Sequence, residues 1–380
     1  MAVNLIEPDF TKIEVAKQRI RDVWMYREVD HIPVGVRITS KLGNSRRSII
    51  ESDELQYQVN KHNLERSLRC LPDDYIPYAR VWFGYMTIAT MFGSSIHWTD
   101  DPDQPPGVLS PLITDMDQVF NLEKPGIDTG TMPDNLRLQR VFVEDFPPWV
   151  HLTGFDLGGP LNNCRDLVET SLLYTAMVEQ PDALHHLLDL LTQVQIDCYA
   201  ATEAVSGGLD RMTCIDMAQI WAPEGNKGFV SDDICSTISP MMFDKFSKPY
   251  NNRLYARWHG GLLHNCGPHP AASCYLDHTP PINGINCSYQ YTREDFSKLR
   301  EAFSGRGIVQ AMFDNGETAE DMIAGFRDMM ECFTPDVVAV PMCAVDDAWN
   351  DDDITALYWE MRKISEEYAA NMNWRSDVNR

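Results

Sequence analysis

A chain of 380 residues, of which 44% are hydrophobic and 23% charged, can bury a large core without disulfide bonds. Its formal charge of −24 at pH 7 excludes a typical nucleic-acid binder, which needs a basic face, and disfavours binding to anionic membranes. The charged N-terminal segment and the absence of long apolar runs predict neither a secretion signal nor a membrane span, so the ten cysteines are expected to be free thiols in the cytoplasm.

Helical and strand-like segments alternate along most of the chain, which is typical of α/β folds with a parallel sheet. The first helix is predicted at residues 12–27, where apolar residues recur at helical spacing. Later helices are predicted over 164–205, which Pro181 divides into two, and over 239–257, which Ser239 and Pro240 open. Short apolar runs predict eight buried strands at 32–38, 75–84, 149–155, 211–218, 261–267, 282–288, 307–313 and 336–343.

No predicted strand has the polar pattern of a sheet edge. Eight strands joined by helical crossovers therefore predict one (β/α)8 TIM-barrel domain over residues 1–380, preceded by an N-terminal helix. The segment 86–148 departs from this pattern, because it is rich in Pro, Asp and Gly and has weak periodicity. We interpret it as a long excursion after the second strand that covers the active-site face of the barrel.

The sequence His264-Asn265-Cys266-Gly267 stands at the end of a predicted strand. Side chains alternate along a strand, so His264 and Cys266 are expected to point to the same side and could bind one metal ion. A third ligand must come from another part of the chain. Cys343 ends the last predicted strand, and the carboxyl ends of all barrel strands meet on one face. Cys287, which also ends a predicted strand, and Cys274 are rival third ligands.

One nitrogen and two sulfur ligands suit zinc and leave its fourth position open, which is typical of catalytic zinc sites. Such a site would favour a bound thiolate that accepts or gives up a methyl group. A His-x-Cys pair on a buried strand can also serve packing alone, and that alternative stays open at this point.

Further polar and aromatic residues near predicted strand ends are candidates for substrate binding, although capping, solvated loops or core packing could also explain them. These candidates are Tyr78, Trp82, Asp156, Asp216, Gln219 and Gln310. Asp232 and Asp233 precede a predicted helix and are interpreted as capping charges at its N-terminus.

Several segments resemble the uroporphyrinogen decarboxylase superfamily. The segment 16–34 is similar to its first helix and strand, with Arg19, Arg21, Asp30 and Pro33 in place, and residues 158–161, 172–192 and 239–254 are similar to its middle part. The resemblance covers about residues 12–40 and 150–370. Within this superfamily, the zinc-dependent corrinoid methyltransferases carry His-x-Cys followed far downstream by Cys, and His264, Cys266 and Cys343 match that pattern.

The resemblance implies a zinc-containing methyltransferase that works with cobalamin on a separate corrinoid protein, because the sequence has no Asp-x-His-x-x-Gly cobalamin motif. The other substrate would be a small molecule, either a methoxylated aromatic compound or a thiol, and the direction of transfer is open. The alternative is a metal-free lyase resembling uroporphyrinogen decarboxylase, although Arg46 and Arg47 do not reproduce the flanking pattern of that branch. The oligomeric state is also open, a homo-oligomer included.

Overall fold

The computed structural model describes residues 5–216, 220–314 and 317–375. Helix α1 forms where the first amphipathic pattern predicts it, and its N-cap Asp9 accepts a hydrogen bond from the backbone N–H of Thr11. The described α-helices are α1 Phe10–Trp24, α2 Arg46–Ile50, α3 Asp53–Cys70, α4 Thr87–Met91, α5 Met132–Asp145, α6 Pro160–Leu167, α7 Thr170–Glu179, α8 Pro181–Ser206, α9 Pro240–Phe246, α10 Lys248–Tyr255, α11 Tyr289–Thr292, α12 Phe296–Phe303, α13 Ala319–Phe333 and α14 Asp351–Ala369.

Proline and serine set several helix starts, as the sequence indicates. Pro181 is the first residue of α8, where its missing N–H costs nothing. The Ser239 side chain accepts a hydrogen bond from the Met242 N–H at the start of α9. The predicted helix over 239–257 is divided into α9 and α10, with Ser247 between them.

The strands are short, and most belong to one parallel sheet. They are β1 Gly35–Ile38, β2 Tyr78–Ala79, β3 Ile96–His97, β4 Gly107–Val108, β5 His151–Leu152, β6 Gly228–Ser231, β7 Gly261–His264, β8 Gly284–Ser288, β9 Ile308–Phe313 and β10 Val338–Val345. Six strands pair in the order β1-β10-β9-β8-β7-β6, and every pairing is parallel. The architecture is therefore an α/β fold built on a parallel half-barrel sheet.

The remaining strands extend this half-barrel only in part. β2 pairs with β5 in a parallel two-stranded sheet, and parallel bridges join Leu152 to Met212 and Phe155 to Asp216. The predicted strand at 211–218 is thus reduced to bridges over its described residues. β6 was not among the predicted strands, because its four residues are too few for a clear pattern. Closure into eight strands stays a prediction.

Successive side chains of each strand point alternately to the inside of the half-barrel and to the surrounding helices. On β9, Gln310 lines a cavity inside the sheet, whereas the ring of Phe313 packs against Gly325 of α13. The predicted excursion contains the antiparallel pair β3 and β4, together with helices α4 and α5. Across the described ranges, no helix combines the length and apolar character that crossing a membrane requires.

Candidate metal centre and adjoining cavity

Three side chains with metal-binding atoms meet beyond the carboxyl ends of β6 and β7. The Cys266 Sγ lies 3.3 Å from the His264 Nε2, and the Asp233 Oδ1 lies 3.7 Å from the same nitrogen. One ligand atom from each of these residues lies within 4.8 Å of the others, and the described residues contain no other such group of His, Cys and acidic side chains. The structure therefore brings His264 and Cys266 together, as predicted, and adds Asp233.

Pairing between two neighbouring strands explains the position of Asp233. Ser231, the last residue of β6, is in register with His264, the last residue of β7. The chains leaving both strands stay close, and the backbone N–H of Cys266 donates to the Asp233 Oδ1 at 2.9 Å. The other carboxylate oxygen accepts from the Asn162 Nδ2 at 3.3 Å. The capping role predicted for Asp232 and Asp233 is not borne out: Asp232 is the N-cap of a 3-10 helix but makes no side-chain capping hydrogen bond, and the Asp233 carboxylate belongs to the metal-binding group.

Asn286 on the adjacent strand holds the His264 ring, and Gln310 on the strand beyond it holds Asn286. The Oδ1 of Asn286 on β8 lies 2.6 Å from the His264 Nδ1, and the two residues are in register. The Asn286 Nδ2 in turn donates to the Gln310 Oε1 on β9 at 3.2 Å. An amide oxygen can only accept, so the His264 Nδ1 carries the proton that it donates to Asn286. The Nε2 atom is thereby left for the group formed with Cys266 and Asp233.

The electrostatics of the group favour a cation. Burial by itself would lower the pKa of His264, but the neighbouring Cys266 and Asp233 raise it to about 10. Burial would raise the pKa of Asp233, but the charge of His264 and the hydrogen bonds from Cys266 and Asn162 together lower it. One imidazole nitrogen, one sulfur and one carboxylate oxygen are all donors that zinc accepts. The residues present therefore fit a zinc ion, with His264, Cys266 and Asp233 as its ligands.

The structure does not bring Cys343 to this group. Strand β10 runs two residues past Cys343, to Val345, so this cysteine does not end the strand as the sequence suggested. It is in register with Phe313, whose ring packs on α13, whereas the adjacent Met342 lines the inner cavity. Because side chains alternate, the buried Cys343 faces the helices. Its role as third ligand stays a prediction without geometric support.

Neither rival cysteine joins the group. Cys287 is fully buried on β8, next to the inward-facing Asn286, and its Sγ lies 3.8 Å from the backbone oxygen of Gln310. Cys274 lies in a 3-10 helix, where its Sγ is 3.8 Å from the hydroxyl of Ser273. Asp233 was not predicted as a metal-binding residue because β6, the strand that precedes it, was not predicted. The signal that could have found it is the run Gly228–Ser231 followed directly by two acidic residues.

A cavity of about 430 Å³ at the mouth of the half-barrel contains three of the predicted substrate-binding residues, namely Tyr78, Trp82 and Asp156. The Trp82 Nε1 donates to the Asp156 Oδ2 at 3.1 Å, and the Arg80 Nη2 lies 3.7 Å from the same oxygen. Burial raises the pKa of Asp156, against the opposing charges of Arg80 and His264. Asp156 therefore interacts electrostatically with both the cavity cations and the metal-binding group.

A smaller cavity of about 90 Å³ continues into the barrel interior. It shares Arg37, Tyr75 and Tyr78 with the larger cavity and is lined further in by apolar residues such as Leu262 and Ile308. Gln310, predicted to bind substrate, lines this smaller cavity. A molecule that enters the mouth would thus meet charged groups first and an apolar interior behind them.

The last two predicted substrate-binding residues are Asp216 and Gln219. Asp216 is fully buried, and its Oδ2 accepts from the hydroxyl of Tyr199 on α8 at 2.9 Å. This contact ties the end of the 212–216 segment to the helix layer, and Asp216 lines neither cavity. Gln219 lies outside the described residues.

The excursion contacts the loop that borders the larger cavity. The Asp103 Oδ1 accepts from the backbone N–H of Arg46 at 2.9 Å, and its Oδ2 lies 2.9 Å from the Lys41 Nζ. Lys41 and Arg46 both line the cavity. The tip of the excursion therefore holds one wall of the cavity mouth.

The fold and site together define a protein of the α/β-barrel type with a candidate metal centre at the carboxyl ends of its strands. The chain belongs to the uroporphyrinogen decarboxylase (URO-D) family, whose family model matches residues 16–305. None of the curated proteins is detectably similar to it in sequence. Among solved structures, a methyltransferase from Methanosarcina mazei has the same fold, with a TM-score of 0.67 and 18% sequence identity over 92% of this chain and 99% of the other.

Proposed function

We propose that this protein is a zinc-dependent methyltransferase that moves a methyl group between a small molecule and the cobalt of a separate corrinoid protein. The observation that carries the proposal is the group of His264, Cys266 and Asp233 at the carboxyl ends of parallel strands. A 430 Å³ cavity is linked to it through Asp156, which lines the cavity and interacts with the charge of His264. Barrel enzymes place their chemistry at this face. Membership of the URO-D family and the shared fold of the M. mazei methyltransferase support the same class of reaction.

Different residues of the chain would bind the metal and position the small molecule. His264, Cys266 and Asp233 would bind the metal, and Asn286 would keep the histidine Nε2 directed towards it. Zinc, when bound, supplies a Lewis acid that favours the thiolate form of a bound thiol or polarises an ether oxygen. Trp82 and Tyr78 would position the small molecule in the cavity. The cobalt would come from the corrinoid protein, docked at the same open face.

Metal analysis of the purified protein tests the zinc site. We expect one zinc per chain, with most of it lost in Cys266→Ser and in His264→Ala, because each variant removes one of a small number of ligands. Cys332→Ser is the matched control, since this cysteine lies on α13 away from the group. A protein that is active without bound metal would contradict the proposal and favour the metal-free lyase.

A second assay tests the need for cobalt. Without cobalamin the purified protein should demethylate no methoxylated aromatic compound and methylate no thiol. Activity should appear when a corrinoid protein or free reduced cobalamin is added, because breaking an unactivated methyl ether needs a very strong nucleophile. Methyl transfer in the complete absence of cobalamin would refute the corrinoid part of the proposal while leaving the zinc site standing.

A further inference from the structure

The parallel sheet encloses a cavity that its own side chains do not fill. This interior cavity of about 90 Å³ is lined by apolar side chains from several strands, among them Val36 of β1, Leu262 of β7, Ile308 of β9 and Val340 of β10. Barrels of this type are normally packed inside by layers of large branched side chains, and protein cores hold few voids larger than a water molecule. The interior cavity has room for several groups of that size, and its apolar walls suit a ligand group without polar atoms.

The exposure of successive side chains on β10 agrees with an interior that is not fully packed. Val340 and Met342, which line the interior cavity, remain 8% and 7% exposed. Ala339 and Cys343, which point the other way, are 0% and 1% exposed. The outer face of the strand is therefore covered completely by helices, whereas its inner face keeps surface that a bound apolar group could cover.

The carboxylate of Asp74, which also lines the interior cavity, has no free acceptor site to offer a ligand. Its two oxygens accept hydrogen bonds of 2.8–3.0 Å from the Arg19 Nη1, the His31 Nε2, the backbone N–H of Val34 and the hydroxyl of Tyr358. A carboxylate has about four lone-pair sites, so all of them are used. A hydroxyl group carried into this part of the cavity would lose the hydrogen bonds that it makes in water.

The interior cavity lies directly below the candidate metal centre. Leu262 lines it, and His264 is the next residue of β7 on the same side, about 6–7 Å nearer the carboxyl end of the strand. Gln310 also lines it, and the Gln310 Oε1 accepts from Asn286, the residue that holds the His264 ring. A small molecule with one end at the metal centre can therefore extend its other end into the interior cavity.

We propose that the interior cavity binds an apolar group of a few carbon atoms, carried by a small molecule whose polar end stays at the barrel mouth. Calling this molecule the methyl-group substrate rests on the proposed function and deepens it. The substrate would then be an amphiphilic compound, with its apolar group a few atoms from the transferred methyl group, rather than a small thiol that is polar throughout.

Ligand-observed saturation-transfer NMR on the full chain tests the cavity without zinc, cobalamin or turnover. The probes are n-pentanol, n-propanol and pentamethylene glycol, which has the length of n-pentanol but a hydroxyl group at both ends. We expect n-pentanol to bind roughly tenfold more tightly than the glycol, which must bury a second hydroxyl group without an acceptor. It should also bind roughly tenfold more tightly than n-propanol, which buries two fewer methylene groups.

Two results with these probes would overturn the proposal. Equal affinities for n-pentanol and the glycol would show that the site does not select an apolar group. Failure of n-pentanol to bind would show that the interior cavity admits no ligand.

Variants then locate the binding site. Val340→Phe places a larger side chain in the interior cavity and should lower the affinity for n-pentanol roughly tenfold, to that of the glycol. Val178→Phe, at an exposed position on α7, is the matched control and should leave the affinity unchanged. Ile20→Phe on α1, which lines the same cavity, is the second test if Val340→Phe does not fold, as judged by circular dichroism. Unchanged n-pentanol binding in a folded cavity variant would refute the site.

These outcomes are independent of the zinc experiment. Binding of n-pentanol that depends on Val340, in a protein that never binds metal, would leave the interior site standing and remove the methyltransferase. Zinc binding and methyl transfer without any preference for n-pentanol over the glycol would keep the methyltransferase and overturn the interior site.

Discussion

The Nδ1 of His264 lies 2.6 Å from the Oδ1 of Asn286, and this contact decides which ring nitrogen faces Cys266 and Asp233. Partners of this kind orient a metal-binding histidine and fix its tautomer. The two residues are in register on neighbouring parallel strands, so the sheet itself sets their separation. The candidate metal centre is therefore supported by the backbone of β8 as well as by that of β7.

Asn286→Ala should weaken zinc binding by about 10- to 100-fold, because His264 would lose the acceptor that holds its ring. Asn286→Asp should retain most of the affinity, since a carboxylate can accept the same proton. Competition with a chromogenic zinc chelator measures the change. Asn371→Ala, at an exposed position after α14, is the control. An affinity unchanged in Asn286→Ala would show that the histidine needs no such partner.

The structure favours Asp233 as the third metal ligand, whereas the sequence pattern favours Cys343, and variants of the two residues distinguish these alternatives. Asp233→Asn should reduce zinc content, because an amide is a much weaker zinc ligand than a carboxylate, whereas Cys343→Ala should leave it at one per chain. Zinc content of the purified variants gives the answer. Alanine is preferred to serine at position 343, because a hydroxyl group in this fully enclosed position would cost stability by itself. Loss of zinc in Cys343→Ala alone would restore the cysteine ligand that the sequence pattern predicts.

The tip of the excursion should matter more for the corrinoid protein than for free cobalamin. Asp103→Ala removes the contacts of this side chain with the Arg46 backbone and with Lys41, so the wall of the cavity mouth loses its anchor. We expect the rate with the corrinoid protein to fall several-fold more than the rate with free reduced cobalamin. Parallel assays with the two cobalt sources measure the difference. Equal losses would mean that the excursion shapes the small-molecule pocket instead.

Stability should decline in mild acid because three histidines, His151, His269 and His278, are buried and have a lowered pKa. Burial lowers the pKa of His269 and His278 to about 4 and that of His151 to about 3. The unfolded chain, with ordinary histidine pKa values near about 6.5, binds more protons between about pH 6.5 and 4. The free energy of unfolding should therefore fall by up to a few kcal/mol as the pH drops through this window.

Thermal melts from pH 7 to 4 test the origin of this loss. His278→Phe should flatten the dependence in part, because phenylalanine does not titrate and would place its ring beside Phe243 and Tyr255. The lost hydrogen bond to the Tyr275 carbonyl should lower stability at every pH, without adding to the slope. The exposed His97→Gln variant is the control and should follow the unchanged protein. An acid slope in His278→Phe as steep as in the original chain would assign the loss to other groups.

The sequence by itself determined the features that depend on local pattern. Periodicity predicted helices at 12–27, 164–205 and 239–257 and most of the parallel strands, and Pro181 and Ser239 marked helix starts that the structure contains. The alternation of side chains along a strand was enough to place His264 and Cys266 on one side, where their ligand atoms meet at 3.3 Å. The clustering of Tyr78 and Trp82 close to a strand end likewise anticipated the cavity wall.

Only the tertiary structure decided which distant residues lie close to His264 and Cys266 and which line the cavities. Asp233 reaches Cys266 because β6 pairs with β7, and the register of two strands is not encoded in either strand alone. The face that Cys343 presents depends on where β10 ends, and sequence patterns locate element ends poorly. Arg37 and Arg80 share a cavity because of packing between segments more than forty residues apart. Contacts between distant segments follow from pairing and packing of the whole sheet, which local propensity does not specify.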